Sequence, residues 1–133
     1  MARFVEYGKY DGMGLAELVR SKQIDAVDVL KEAITRLEEL NPKLNAVVHR
    51  HFELAMDSIR LAPSEAKAAP FFGVPFLLKD NIYLQGTLTT HGSRLYRDYC
   101  APFTSTLVHR YINAGLAIMG KTNTPEFGLT ITT

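Results

Sequence analysis

The chain has 133 residues, 47% of them hydrophobic, with a formal net charge of +1. That length supports one domain with a sizeable core, and a charge so close to neutral gives no reason to expect nucleic acid as a partner. Charges and glycine stand in Met1–Asp11 where a secretory leader needs apolar residues, and no later run approaches a membrane span, so the expectation is a cytoplasmic protein with no membrane partner.

In chain order, Leu15, Leu18 and Val19 mark a short helix. Asp25 is a good N-cap, Asp28 adds negative charge to the first turn, and Val27, Leu30, Ile34 and Leu37 fall at helical spacing. These signals predict an amphipathic helix over 26–40, stopped by Asn41-Pro42. Phe52, Leu54, Ala55 and Ile59 predict a third helix, completing a helical region over 1–61. Residues 62–72 read as an exposed connection, small and polar between Pro63 and Pro70. An α/β region then occupies 73–133. Val74 to Ile82 is rich in Val, Phe, Leu and Ile between Gly73 and Gly86, as an interior strand would be. Thr104 to Thr106 can cap a helix bearing Leu107, Val108, Tyr111 and Ile112, and Gly115 suits its left-handed exit. Leu116 to Met119 reads as a second strand, so the order strand, helix, strand predicts parallel pairing in a helix-covered α/β sheet. Phe127 to Thr133 alternates apolar residues and threonine like the opening of another strand or a loop, and nothing there resembles a natural terminus. Left open, Leu116–Met119 and Phe127–Ile131 would form an apolar edge able to drive association.

Lys79 ends the apolar run Gly73-Val-Pro-Phe-Leu-Leu-Lys79. Burial disfavours an ammonium and turns a lysine into a base near neutral pH, yet a strand-end lysine more often buries its stem and keeps its charge wet. Asp80, Asn81 and Glu126 can orient Lys79 or a substrate, or simply cap turns. Gly115 to Thr122 fits the phosphate-loop letters G-x-x-x-x-G-K-[ST], but a helix precedes it and Leu-Ala-Ile-Met fills its middle, which reads as a buried strand. His49 and His51 flank Arg50; with no third ligand nearby they read as surface histidines, and no metal or cofactor is expected. His91 and Ser93 sit in a small polar loop that either lines a pocket or forms a plain turn. Cys100 is the single cysteine, has no motif around it, and reads as structural.

Together, Gly73-Val74-Pro75 with Lys79-Asp80-Asn81, Thr89-Thr90-x-Gly92-Ser93, Ala114-Gly115, and Gly120-Lys121-Thr122-Asn123-Thr124-Pro125-Glu126-Phe127 resemble, in order and spacing, the amino-terminal part of the amidase signature family. The resemblance runs from about Leu15 onward. It implies amino-terminal helices and the first strands of a mixed sheet covered by helices, all within 1–133 of a single incomplete amidase signature domain. It implies an amide hydrolase with a Ser, cis-Ser, Lys triad, acting on a small-molecule amide, in which Lys79 is the lysine. Both serines would follow Thr133 in a glycine- and serine-rich segment that also builds the oxyanion hole, so these residues alone would be inactive. Thr124-Pro125-Glu126-Phe127 and His91-Gly92-Ser93 stand where the A subunits of aminoacyl-tRNA amidotransferases usually show Met-Asp-Glu-Phe and Cys-Ala-Ser, which favours a free-standing amidase. Thr104 replaces an aspartate common in relatives, and His91 falls at a variable position. His91, Ser93 and Asn123 are the candidates for touching substrate. A non-catalytic binding or assembly module, and association into a homo-oligomer, remain alternatives.

Overall fold

The computed structural model describes residues 4–133. Helix α1 (Gly12–Arg20) opens at Asp11, whose carboxylate accepts the Gly14 N–H at 2.8 Å. Helix α2 (Ala26–Leu44) opens the same way at Asp25, which accepts the Val27 N–H at 2.8 Å. Contrary to the expected stop at Asn41-Pro42, α2 carries Pro42 inside its last turn and reaches Leu44. Two contacts outweigh the proline. The left-handed Asn45 (φ 47°) closes the turn by donating its N–H to the Asn41 carbonyl at 2.8 Å. The Asn41 side chain meanwhile holds Val47 from both sides, donating to its carbonyl at 2.9 Å and accepting its N–H at 2.8 Å.

That grip starts β1 (Val47–Arg50), a strand the sequence did not announce. Helix α3 (Phe52–Arg60) follows, and the 62–72 connection contains only one short 3-10 turn, Ala66–Ala68. Strand β2 (Pro75–Lys79) is shorter than the 74–82 run, because the chain turns at once and the Ile82 N–H bonds the Lys79 carbonyl at 2.9 Å. Helix α4 (Thr106–Asn113) is capped by Ser105 and left through Gly115 at φ 91°, as its sequence predicts. Strand β3 (Ala117–Thr122) runs three residues beyond the expected Met119 and takes in the Gly-Lys-Thr letters of the apparent phosphate loop.

The sheet order is β1-β3-β2, with β2 and β3 parallel across the α4 crossover and β1 antiparallel on the far side. β3 is therefore central, and Ala117, Ile118 and Met119 are buried, so the expected open edge at Leu116–Met119 does not exist. Phe127 to Thr133 forms no strand; a 3-10 turn at Glu126–Gly128 leads into irregular chain. On one face of the sheet Leu30, Ala33, Ala55 and Ile59 of α2 and α3 pack against Ala117 and Met119. On the other, Val108 of α4 packs with Leu78, Leu84 and Ile118. Leu15, Ala16, Val29 and Val74 join α1 to α2 and the start of β2.

Both strand pairings are bulged. The β2/β3 register slips between Phe76↔Ile118 and Leu77↔Gly120, and β1/β3 slips between Val47↔Thr122 and His49↔Lys121. The first slip places Met119 and Gly120 on one face and turns Lys121 onto the other, beside Leu78. Lys121 is consequently 0% exposed and Asp80 1%. Burial pulls Lys121 from its ordinary 10.5 to about 8, with the Asp80 carboxylate and Cys100 acting in the opposite sense.

Two consequences can be measured. A Cβ on Gly120 would lie 2.4 Å from the His49 carbonyl oxygen. Gly120→Ala is therefore expected to destabilise the fold by about 1–3 kcal/mol in chemical denaturation, whereas a loss under about 0.5 kcal/mol would show that β1 yields freely. The lowered Lys121 value has a defined sign. Below about pH 8 the lysine is protonated in both states and the full cost of burying the ammonium is present. From about 8 toward 10.5 the unfolded chain keeps a proton that the native chain has released, so that cost is relieved and stability rises. Relative to Lys121→Met, the parent should gain about 2–3 kcal/mol between a pH of about 7.5 and about 10; a pH-independent difference would contradict the assignment.

Candidate active site

Lys79 closes β2, at the carboxyl ends of the parallel pair, which is where open α/β sheets place ligands. Leu78 before it is buried, while the lysine itself is exposed, the strand-end arrangement in which stem and charge part company. The Glu126–Gly128 turn comes over this side chain. A Cβ on Gly128 would lie in ordinary contact with Lys79 Nζ, 3.5 Å away, and with Asn81 Nδ2, 3.6 Å away, so the turn runs directly beside the lysine.

Asp80, one residue on, points into the opposite face. Its carboxylate accepts from the Thr90 N–H at 3.2 Å and from the Thr90 hydroxyl, and its own carbonyl accepts the His91 N–H at 3.0 Å. The Lys121 ammonium donates to the Leu88 carbonyl at 2.6 Å and to the Thr89 hydroxyl oxygen. Loop 88–93 is thus fixed from below by two buried charges. From its other side the chain segment after β3 meets it. Ser93 Oγ donates to Glu126 Oε1 at 2.6 Å, and the Phe127 N–H donates to the His91 carbonyl at 2.8 Å. A Cβ on Gly92 would fall 2.3 Å from the Thr124 carbonyl oxygen, and its φ of 66° favours glycine as well, so the two segments touch backbone to backbone.

His91 (φ 54°) and Phe127 (φ 53°) both occupy the left-handed region and are hydrogen-bonded to each other. For Phe127 that conformation is strained, and such strain gathers at functional sites. Around them the rings of Tyr83, Tyr96 and Phe127 stand 5.7, 5.4 and 6.2 Å from the His91 ring. His91 and Ser93 therefore belong to the loop that borders the Lys79 surroundings. Asn123 is placed elsewhere: its amide donates to the Asn45 carbonyl at 3.3 Å and accepts the Thr124 N–H at 2.9 Å, tying the end of β3 to the exit of α2.

His49 and His51 are not surface residues. Both are half-buried, because β1 pairs with the central strand, and the Nε2 atom of each is enclosed without a hydrogen-bond partner. His49 Nε2 lies 3.4 Å from an Asp80 carboxylate oxygen, without the direction of a hydrogen bond. Burial pushes the His51 imidazole below its usual value, and the Lys121 ammonium adds to this. Among the described residues no group of three His, Cys, Asp or Glu gathers as metal ligands. No described helix is long and apolar enough to cross a membrane. Lys121 is the residue to which sequence reasoning assigns no role; its Gly-Lys-Thr letters entered only as an apparent phosphate loop and as part of the family resemblance.

The Amidase family model matches residues 28–133. Over 118 residues the chain is 34% identical to the glutamyl-tRNA(Gln) amidotransferase A subunit of Caldanaerobacter subterraneus subsp. tengcongensis, covering 86% of this chain and 24% of that protein. It is 38% identical over 126 residues to 6-aminohexanoate-cyclic-dimer hydrolase of Paenarthrobacter ureafaciens, covering 92% of this chain and 24% of that one. A solved structure of 6-aminohexanoate cyclic dimer hydrolase superposes with a TM-score of 0.85 at 38% identity, over 93% of this chain and 25% of its own. The chain thus spans about a quarter of the length of these relatives. With the family match covering most of its residues and the fold shared, the chain belongs to the amidase family, the amidase signature enzymes.

Proposed function

We propose that the protein carrying these residues hydrolyses a small carboxylic amide to an acid and ammonia or amine, with Lys79 as the base of a Ser, cis-Ser, Lys triad. One observation supports this above the others: Lys79 stands exposed at the carboxyl end of β2 beside Gly128, while the adjacent Asp80 is buried and hydrogen-bonded to loop 88–93. A base must be reachable by the group whose proton it takes, and its backbone must be fixed. Lys79 would take a proton from the bridging serine, which takes one from the nucleophilic serine as its oxygen adds to the amide carbon. Collapse of the tetrahedral adduct breaks the C–N bond, the proton returns to the leaving nitrogen, and water then releases the acid from the acyl-enzyme. Both serines lie outside residues 1–133 in this proposal, so these residues alone supply a base without a nucleophile and turn over no amide.

A second reading is that the protein serves within a multi-subunit amidotransferase, supported by the 34% identity to a component of such an enzyme. Thr124-Pro125-Glu126-Phe127 and His91-Gly92-Ser93, in place of the motifs expected of those proteins, favour a free-standing hydrolase.

In the full-length protein, Lys79→Ala is expected to lower kcat on small carboxylic amides by about 100- to 10,000-fold. Because the side chain is exposed, the same change should alter folding stability by no more than about 0.5 kcal/mol. Near-parent turnover in a folded Lys79→Ala protein would remove the lysine from the mechanism. The full-length protein by itself, with no tRNA and no partner protein, is expected to release ammonia or amine from such amides. Turnover that appears only after both are added would establish the amidotransferase reading instead.

A further inference from the structure

The Lys79 mechanism leaves a second lysine unused. Lys121 is 0% exposed, yet nothing about its position in the sheet requires a charge; a methionine of similar length would fill the same space without desolvating an ammonium. What the charge does is order a loop. Its Nζ donates to the Leu88 carbonyl at 2.6 Å and to the Thr89 hydroxyl oxygen. The next residue, Thr90, donates twice to Asp80, and His91 donates its N–H to the Asp80 carbonyl at 3.0 Å. The His91 carbonyl in turn accepts the Phe127 N–H at 2.8 Å, and Gly128 follows, its missing Cβ 3.5 Å from Lys79 Nζ. Hydrogen bonds at Leu88, Thr89, Thr90 and His91, joined by the backbone of the loop itself, therefore connect the buried lysine to the turn that borders the exposed one.

We propose that Lys121 is a positioning residue: its buried ammonium sets loop 88–93 and, through it, the 126–128 turn against which Lys79 works. The inference rests on the assignment of Lys79 as base. The groups that face Lys121 are Asp80 at the end of β2, His49 on β1, His51 just beyond it, and Cys100 in the segment bridged to Leu88. Asp80 is the carboxylate among them, and the lysine and the aspartate hold Thr89 and Thr90 from two directions.

The test uses the full-length protein with Lys121→Met, which keeps the length of the stem, and Thr89→Val, which keeps the lysine and removes only its hydroxyl acceptor. Steady-state kinetics on a small carboxylic amide are read well below the melting temperature of each variant and normalised to folded protein. Lys121→Met is expected to lower kcat by about 10- to 100-fold with KM within about twofold of the parent, and Thr89→Val to move kcat the same way by less. A lowered melting temperature with kcat per folded molecule within about twofold of the parent would make Lys121 a stabilising residue only and overturn the proposal. Should Lys121→Met not fold, Thr89→Val decides alone by the same criterion. Lys79→Ala measured in parallel separates the two inferences. If Lys79→Ala is inactive while both other variants are normal, only the role of Lys121 falls; turnover that survives Lys79→Ala overturns both.

Discussion

Two opposite charges buried on one face of a three-stranded sheet, Asp80 and Lys121, constrain everything around Lys79. Neither group can be left without partners in such a place. Burying a charge is costly unless hydrogen bonds satisfy it. The partners that satisfy them belong to neither a helix nor one of the sheet's strands but to three consecutive loop residues, Leu88 to Thr90, with His91 bonding the Asp80 backbone carbonyl next to them. Loops are ordinarily the variable part of a fold. Here the demand for hydrogen bonds at two buried charges makes a loop as determined as the sheet beneath it.

The remaining contacts transmit that determination outward. Gly92 lies so close to the Thr124 carbonyl that no side chain fits, Ser93 reaches Glu126, and His91 and Phe127 share a hydrogen bond while both hold left-handed backbone. A left-handed aromatic residue persists only where its surroundings over-determine it. The backbone bond from Phe127 to His91 and the close packing at Gly92 supply that, and both depend on the loop already being fixed. Strain at Phe127 is thus held by charges on the far face of the sheet.

Much of the fold was legible because its signals are local. Asp25 and the spacing of Val27, Leu30, Ile34 and Leu37 specify α2 within one stretch of chain, and Gly73, Ser105 and Gly115 punctuate the β2, α4, β3 unit in the same way. The misreadings share a different origin. Strand β1 is four residues long with His49 and Arg50 in half of it, so it has no apolar alternation to find; pairing with β3 alone makes it a strand. The burial of His49 and His51 follows from that pairing and is equally invisible in sequence. Helix α2 outlasts Pro42 because Asn41 captures Val47, six residues away, a contact no propensity contains. Of the site, the position of Lys79 on a strand end was readable from the apolar run before it. The buried place of Lys121 was not, since β3 changes face within its own length.

That change of face decides which lysine does which work. Lys79 pairs with Thr122 and Leu78 with Lys121, so the two lysines stand one register step apart and on opposite faces. Without the slip between Phe76 and Leu77, strict alternation would put Lys121 on the face of Met119, against Ala55 and Ile59, where no carbonyl or hydroxyl waits for an ammonium. Asp80 would then lose the Lys121 ammonium from its own face of the sheet. A single extra residue in β3 thus lets one short sheet present a lysine to solvent on one side and bury another on the reverse. In β-sheets bulges commonly serve to re-aim a side chain beside an active site. Here the re-aimed side chain is the one beneath the site, and the exposed Lys79 keeps the undisturbed alternation of its own strand.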